Sequence, residues 1–279
     1  MLLLLLQAYI VTSIADAPFA YRRILPDERG SKIEEMQHRR AEANGTLKHL
    51  VVLMKFRDHV IQRDVPSKQD YDVLFNQEGG DPYIAPTGSV KDVFLANSYG
   101  QLSVESTVIN WVPLSERESY YADGVYGLEN AMFDALQEAL DQVDSRNNVR
   151  FSDFDSDNDG QIDAITFVHS GYGAEWGGAD CGGAQEEDRI WSHHRTGTSS
   201  IGRWCARDGI CMGSYQIVSG LWGKCGKDIA RIGVISHELS KFLGLNGMYD
   251  GTGGSGVGAY SLMVRNFAMQ CRHIRAFLL

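Results

Sequence analysis

Two short stretches of this 279-residue chain carry side chains that could hold a metal ion. The first is His237-Glu238-Leu239-Ser240-Lys241. On a helix, residues four apart share a face. A His-Glu-x-x-His pattern therefore offers two imidazoles to one zinc ion and a glutamate to the water beside it. Here the first His and the Glu are present, and Lys241 stands at the second ligand position. A lysine amine is protonated at neutral pH, so it cannot bind zinc and repels it. Against that pattern His237 stands at a zinc-ligand position, as a remnant of the pair, Glu238 at the position of the catalytic base, and Lys241 at a substituted ligand position. Other donors exist in the chain, namely His169, His193, His194, Asp250 and His273, but spacing does not place them.

The second stretch is residues 155–163, Asp-Ser-Asp-Asn-Asp-Gly-Gln-Ile-Asp. Alternating carboxylates across a tight turn can converge on one point, and Gly160 permits the bend. Converging carboxylates repel unless a cation sits between them. Calcium suits such oxygen-rich sites. Asp155, Asp157, Asp159 and Asp163 are the expected calcium ligands, with the Gln161 carbonyl as a further one. The loop is not an EF-hand, because position 12 is Thr166 rather than Glu and a strand follows. Its expected role is structural, to fix the turn that feeds that strand.

Elements must hold these groups in place. Leu47 to Phe56 reads as a buried strand. Ser89 is expected to cap a helix with Asp92 three residues on. Gln101 to Pro113 alternates and is rich in Val, Thr and Trp, so it reads as a strand. Leu128 to Val143 repeats apolar residues at three and four, the pattern of an amphipathic helix. Ile162 to His169 reads as a strand, and residues 171–226 as irregular. Asp228 to Leu243 reads as the helix bearing His237, stopped by Gly244. Residues 251–258 form a Gly-rich loop. A helical patch lies within residues 33–43. Strands and helices mix without strict alternation, which gives a single α/β (α+β) domain from residue 47.

Composition narrows the function classes. The chain has 26 basic and 36 acidic residues, a net charge of −10. That balance argues against nucleic acid and against anionic lipid, and leaves room for cations. Leu2 to Leu6, followed by Ser13-Ile14-Ala15, resembles a secretory signal peptide over residues 1–15, too short to span a bilayer. Residues 16–46 read as a linker or pro-segment. No later stretch is long and apolar enough to span a membrane. Four of five cysteines lie between Cys181 and Cys225. In a secreted chain they would form two disulfides and leave Cys271 over; their spacing does not resemble zinc knuckles. Asn44-Gly45-Thr46 is a glycosylation sequon.

Several blocks, in order, carry a resemblance. They are GSVKDVFLANSYGQLSVESTVINW at 88–111, DFDSDNDGQIDAITFVHSGYGAE at 153–175, IWSH at 190–193, HELSKFLGLNGMYD at 237–250 and YSLM at 260–263. Over roughly 47–265 the chain resembles the immune inhibitor A family of secreted zinc metallopeptidases. The resemblance implies a metzincin-like zincin catalytic domain with a mixed sheet and an active-site helix. It also implies a zinc cofactor, structural calcium, a protein or peptide substrate and an extracellular location. Met263 matches the Met-turn beneath such a site.

Two departures stand out. The family has His where this chain has Lys241, and often an acidic residue where this chain has Gly247. The resemblance fades after Met263, and residues 266–279 read as a divergent tail. The reading is a metallopeptidase domain with its zinc motif degraded at Lys241 and Gly247. The alternative is a catalytically inactive pseudopeptidase that keeps a calcium-stabilised fold, with Lys241 paired to Glu238 or Asp250. A calcium-stabilised binding module would explain the acidic loop but not the helix or the Met-turn.

Overall fold

A computed structural model describes residues 44–59, 64–197, 204–245, 247–248 and 261–263. The signal segment 1–15, most of the linker 16–46, Asp250, Tyr260, Cys271, His273 and the tail 266–279 lie outside the described residues. So do the patch at 33–43 and the loop at 251–258.

Five strands form one mixed sheet: β1 (Gly45–Lys55), β2 (Leu102–Pro113), β3 (Ile165–Tyr172), β4 (His193–Thr196) and β5 (Ser214–Leu221). Their order is β2-β1-β3-β5-β4. All neighbours are parallel except β4, which runs antiparallel to β5 at the edge. Helices cover both faces, so the central strands are apolar on both sides. On one face Leu50, Val52 and Met54 of β1 pack with Met132, Leu136, Leu140 and Val143. These come from α4 (Asn130–Ser145), whose predicted apolar stripe is the buried one. On the other face Val51 and Leu53 pack with α1 (Lys68–Asn76), α2 (Val90–Asn97) and α5 (Ile232–Ser240). A short helix, α3 (Glu118–Ala122), follows β2.

The Ser89 cap is present in full. Asp92 N–H donates to Ser89 Oγ at 3.2 Å, and Ser89 N–H donates to Asp92 Oδ2 at 2.9 Å. Ser67 and Asp70 make the same box on α1, a helix the sequence reading missed.

Three expectations differ from the structure by more than two residues. β3 starts at Ile165 rather than Ile162, because Ile162 N–H donates to the Cys211 carbonyl at 3.0 Å. That bond binds the segment to a neighbouring turn instead of the sheet. The region 171–226 is not irregular throughout, since it contains β4 and β5. Ser214, Gln216 and Ser219 break the apolar run of β5, yet all its residues are buried. The predicted start of α5 at Asp228 falls four residues early. Trp222 N–H donates to the Asp228 carbonyl and Ala230 N–H to the Gly220 carbonyl, which folds residues 228–230 back on β5. At its other end the helix tightens into a 3-10 turn, Lys241–Leu243, closed by Gly244 at φ +77°.

Both expected disulfides form, Cys181–Cys225 and Cys205–Cys211. A polar row also crosses the helix-α5 face of the sheet. Ser106, His49, Thr166, Gln216 and His194 each come from a different strand. The Gln216 amide donates to the Ile235 carbonyl of α5 at 3.5 Å.

Candidate active site around the His237–Glu238 helix

Helix α5 carries His237 and Glu238 to the sheet face beside β4 and β5. His237 Nδ1 lies 2.7 Å from the Leu262 carbonyl. A carbonyl only accepts, so Nδ1 carries the proton and Nε2 is turned toward Glu238, 3.8 Å from its Oε1. Residues 261–263 thus lie against His237. Met263 is buried, and its N–H donates to Ser261 Oγ at 3.1 Å. This is the arrangement a supporting turn would have.

Lys241 Nζ donates to Glu238 Oε2 at 2.6 Å. The Glu238 side chain is 8% exposed and that of Lys241 27%. The predicted i, i+3 pair is therefore the central polar contact here. Helical spacing alone accounts for it.

The other described donors are held by other partners. His193 Nδ1 lies 2.8 Å from the Trp191 carbonyl and Nε2 lies 3.2 Å from Tyr215 Oη. Burial, foremost, pushes the His193 pKa down to about 4. The His194 ring sits edge-on to Phe242. His169 belongs to a separate cluster at the ends of β1 and β3. Gly247 has no donor side chain. Among the described residues, the one group of three His, Cys, Asp or Glu with converging ligand atoms is Asp155, Asp157 and Asp159. Catalytic zinc uses three protein ligands and an open position. Among the described residues, one imidazole and a neighbouring carboxylate held by an ammonium fall short of that number.

One group in this site is invisible to motif reading. Glu175, in the 3-10 turn after β3, buries its carboxylate near Glu238. Ser192 Oγ donates to its Oε1 at 2.8 Å and Ser192 N–H to Oε2 at 3.3 Å. Burial, foremost, raises its pKa, and the Glu238 charge adds to the rise. The carboxyl lies where a side chain on Gly173 would stand. The Gly-Tyr-Gly-Ala-Glu run was the available signal, because a glycine two residues before an acid leaves room for it to fold back.

A second buried cluster was also missed. His59 Nδ1 lies 2.9 Å from Ser170 Oγ, and its Nε2 lies 3.4 Å from Glu118 Oε2. His169 Nδ1 lies 3.7 Å from Glu118 Oε1 and accepts from Gly171 N–H at 3.2 Å. Glu118 fills the space a Gly171 side chain would need. His59, Glu118 and the His169–Ser170 pair are far apart in sequence, so only the fold unites them.

The acidic loop folds on its own backbone. Asp155 accepts from the N–H groups of Asp159 and Gly160, each at 3.0 Å. Asp157 Oδ1 accepts from Asp159 N–H at 3.1 Å, and Asp159 Oδ1 from Gln161 N–H at 2.8 Å. Gly160 has φ +81°, the bend expected of it. One oxygen from each of Asp155, Asp157 and Asp159 lies within 4.8 Å of the others. Asp163 stands outside this trio. Its Oδ2 accepts from Ser156 N–H at 2.9 Å, and burial, then the charges of Asp157 and Asp155, raise its pKa. The loop is braced from outside, since Cys211 N–H donates to the Gly160 carbonyl at 2.9 Å. Cys211 is one end of the Cys205–Cys211 bridge.

Known proteins share this frame. The family model described as immune inhibitor A peptidase M6, catalytic domain, matches residues 39–267. Immune inhibitor A of Bacillus thuringiensis subsp. alesti is 28% identical over 243 residues, covering 73% of this chain and 33% of that protein. The chain therefore spans about a third of the length of that relative. Because the family match takes in the whole mixed sheet and the His237–Glu238 helix, this chain belongs to the immune inhibitor A peptidase family.

Proposed function

We propose that this chain is a metallopeptidase-type domain whose zinc position has been given over to Lys241. Peptide hydrolysis by zinc-activated water is lost or strongly reduced in it. The observation that carries this reading is the 2.6 Å contact between Lys241 Nζ and Glu238 Oε2. A bound zinc ion would lower the pKa of its water to about 7, which makes a nucleophile available at neutral pH. The ammonium does not supply that chemistry. It also holds the Glu238 carboxylate in an ion pair through Oε2. His237 remains oriented by the Leu262 carbonyl.

The protein keeps the means to hold the fold without zinc. Calcium at Asp155, Asp157 and Asp159, with Asp163 and the Gln161 carbonyl completing the shell, would stabilise the turn before β3. The trio fits a hard cation, since its oxygens already converge. Two disulfides and a leader-like N-terminus support an extracellular location. The expected partner is a protein or peptide segment.

Restoring the ligands tests the proposal. Lys241→His combined with Gly247→Asp should gain zinc, measured by metal analysis after dialysis, while the parent chain does not. Equal zinc in both proteins would refute the assignment of Lys241 as the blocking residue.

A further inference from the structure

Asn44-Gly45-Thr46 belongs neither to the active-site helix nor to the acidic loop. An asparagine two residues before a threonine is the acceptor pattern for an N-linked glycan, and such acceptors lie on the surface of secreted proteins. No other asparagine of the chain is followed by that pattern.

The fold puts the acceptor where a transferase can reach it. Asn44, Gly45 and Thr46 are all exposed, at the point where the chain enters β1. Gly45 has φ +94°, a conformation open to glycine. A Cβ built on it would meet no atom within 4 Å, so the space beside the acceptor is clear. The backbone beneath is fixed. Gly45 N–H donates to the Gln101 carbonyl at 2.7 Å, and Thr46 pairs with Ser103 of β2. From this end β1 runs for 11 residues, and β3 runs parallel to it toward Glu175. At about 3.3 Å per residue, the acceptor stands roughly 30 Å from the end of the sheet that leads to Glu175. A bulky polar group on Asn44 therefore leaves that end uncovered.

We propose that Asn44 carries an N-linked glycan whose first sugar is an N-acetylhexosamine. In the transfer, the amide nitrogen of Asn44 bonds to the anomeric carbon of the sugar. The bond from that carbon to the pyrophosphate of a lipid-linked donor breaks, and the pyrophosphate leaves with the electron pair. The amide gives one proton to the transferase, which recognises the hydroxyl of Thr46. The proposal rests on the extracellular location argued above, because only a chain on that route meets the transferase. The glycan would shield the end of the sheet where β1 begins.

The test produces the full chain with its own N-terminus in a secreting eukaryotic cell, beside Asn44→Gln, Thr46→Ala and Thr46→Ser. Gel mobility is compared before and after digestion with an N-glycan amidase, in medium and cell fractions. The parent should run heavier by one glycan. The amidase should remove that shift and leave Asn44→Asp in the peptide mass. Asn44→Gln and Thr46→Ala should run at the digested position, and Thr46→Ser should keep the shift. A secreted parent with an unmodified Asn44 peptide, or a shift that the amidase does not remove, would overturn the glycan and leave the location standing. A shifted parent retained in the cell would support the glycan and overturn the location. An unshifted parent retained in the cell would overturn both. If a variant is not recovered, the Asn44 peptide mass of the parent decides alone.

Discussion

Lys241 neutralises a site that holds two carboxylates. Glu238 is bonded to it directly, and desolvation, with the Glu238 charge adding to it, raises the pKa of the half-buried Glu175. Without the ammonium, those acids would face each other in a poorly solvated space. Lys241→Met should therefore lower stability by about 1–3 kcal/mol in chemical denaturation. Adding Glu238→Gln should recover much of the loss. An unchanged denaturation midpoint in Lys241→Met would show that the pair has no structural weight. His237, Glu238 and Lys241 were legible in sequence because helical spacing dictates their proximity. Glu175 was not, because Ser192 and Glu238 reach it only through the fold.

His49 carries a second prediction at this scale. It lies between Ser106 Oγ at 2.9 Å and Thr166 Oγ1 at 2.6 Å, and burial pushes its pKa down to about 3. An unfolded histidine titrates near 6.5. Between those values the unfolded chain holds more protons than the folded one, so stability is intact above about 6.5 and is lost as pH falls. His49→Gln keeps a polar partner for both hydroxyls and should flatten the decline of Tm between pH 6.5 and pH 4. A slope identical to that of the parent would assign the acid sensitivity to other groups.

At the scale of elements, the strongest local signals named the right structures. The Ser89–Asp92 box and the apolar stripe of α4 need no tertiary partner to be recognised. β5 escaped because Gln216 belongs to a polar row that only the assembled sheet creates. Ser214 and Ser219 obscured the remaining pattern. The acidic loop was legible as a cluster of charge, and its bend followed from Gly160. The brace from Cys211 was not, because it arises from a turn on another part of the chain. Calcium at millimolar concentration should raise the Tm by several degrees, and Asp155→Asn with Asp157→Asn should abolish the rise. A parent chain with neither a shift nor bound calcium would remove the cation from the account. Reducing Cys205–Cys211 should weaken the calcium response, since the Gly160 carbonyl would lose its anchored donor.

The described residues form an α/β domain with helices on both faces of a mixed sheet. Among the described residues, no helix is long and apolar enough to cross a membrane. Its architecture was readable from the order of the blocks that begin at 88, 153 and 237, whose described residues lie on α2–β2, the acidic loop with β3, and the end of α5 with its closing turn. Each block pairs an element with the turn that feeds it, and such local units survive substitution of the residues that do chemistry. A peptidase scaffold can thus persist after its metal ligands change. The chain spans about a third of the length of the relative it matches. The most direct measurement is zinc content together with peptide cleavage by the purified parent chain, supplied with excess zinc and then dialysed. The account expects far less than stoichiometric zinc and no cleavage above that of Glu238→Ala. Stoichiometric zinc with cleavage that Glu238→Ala abolishes would contradict it.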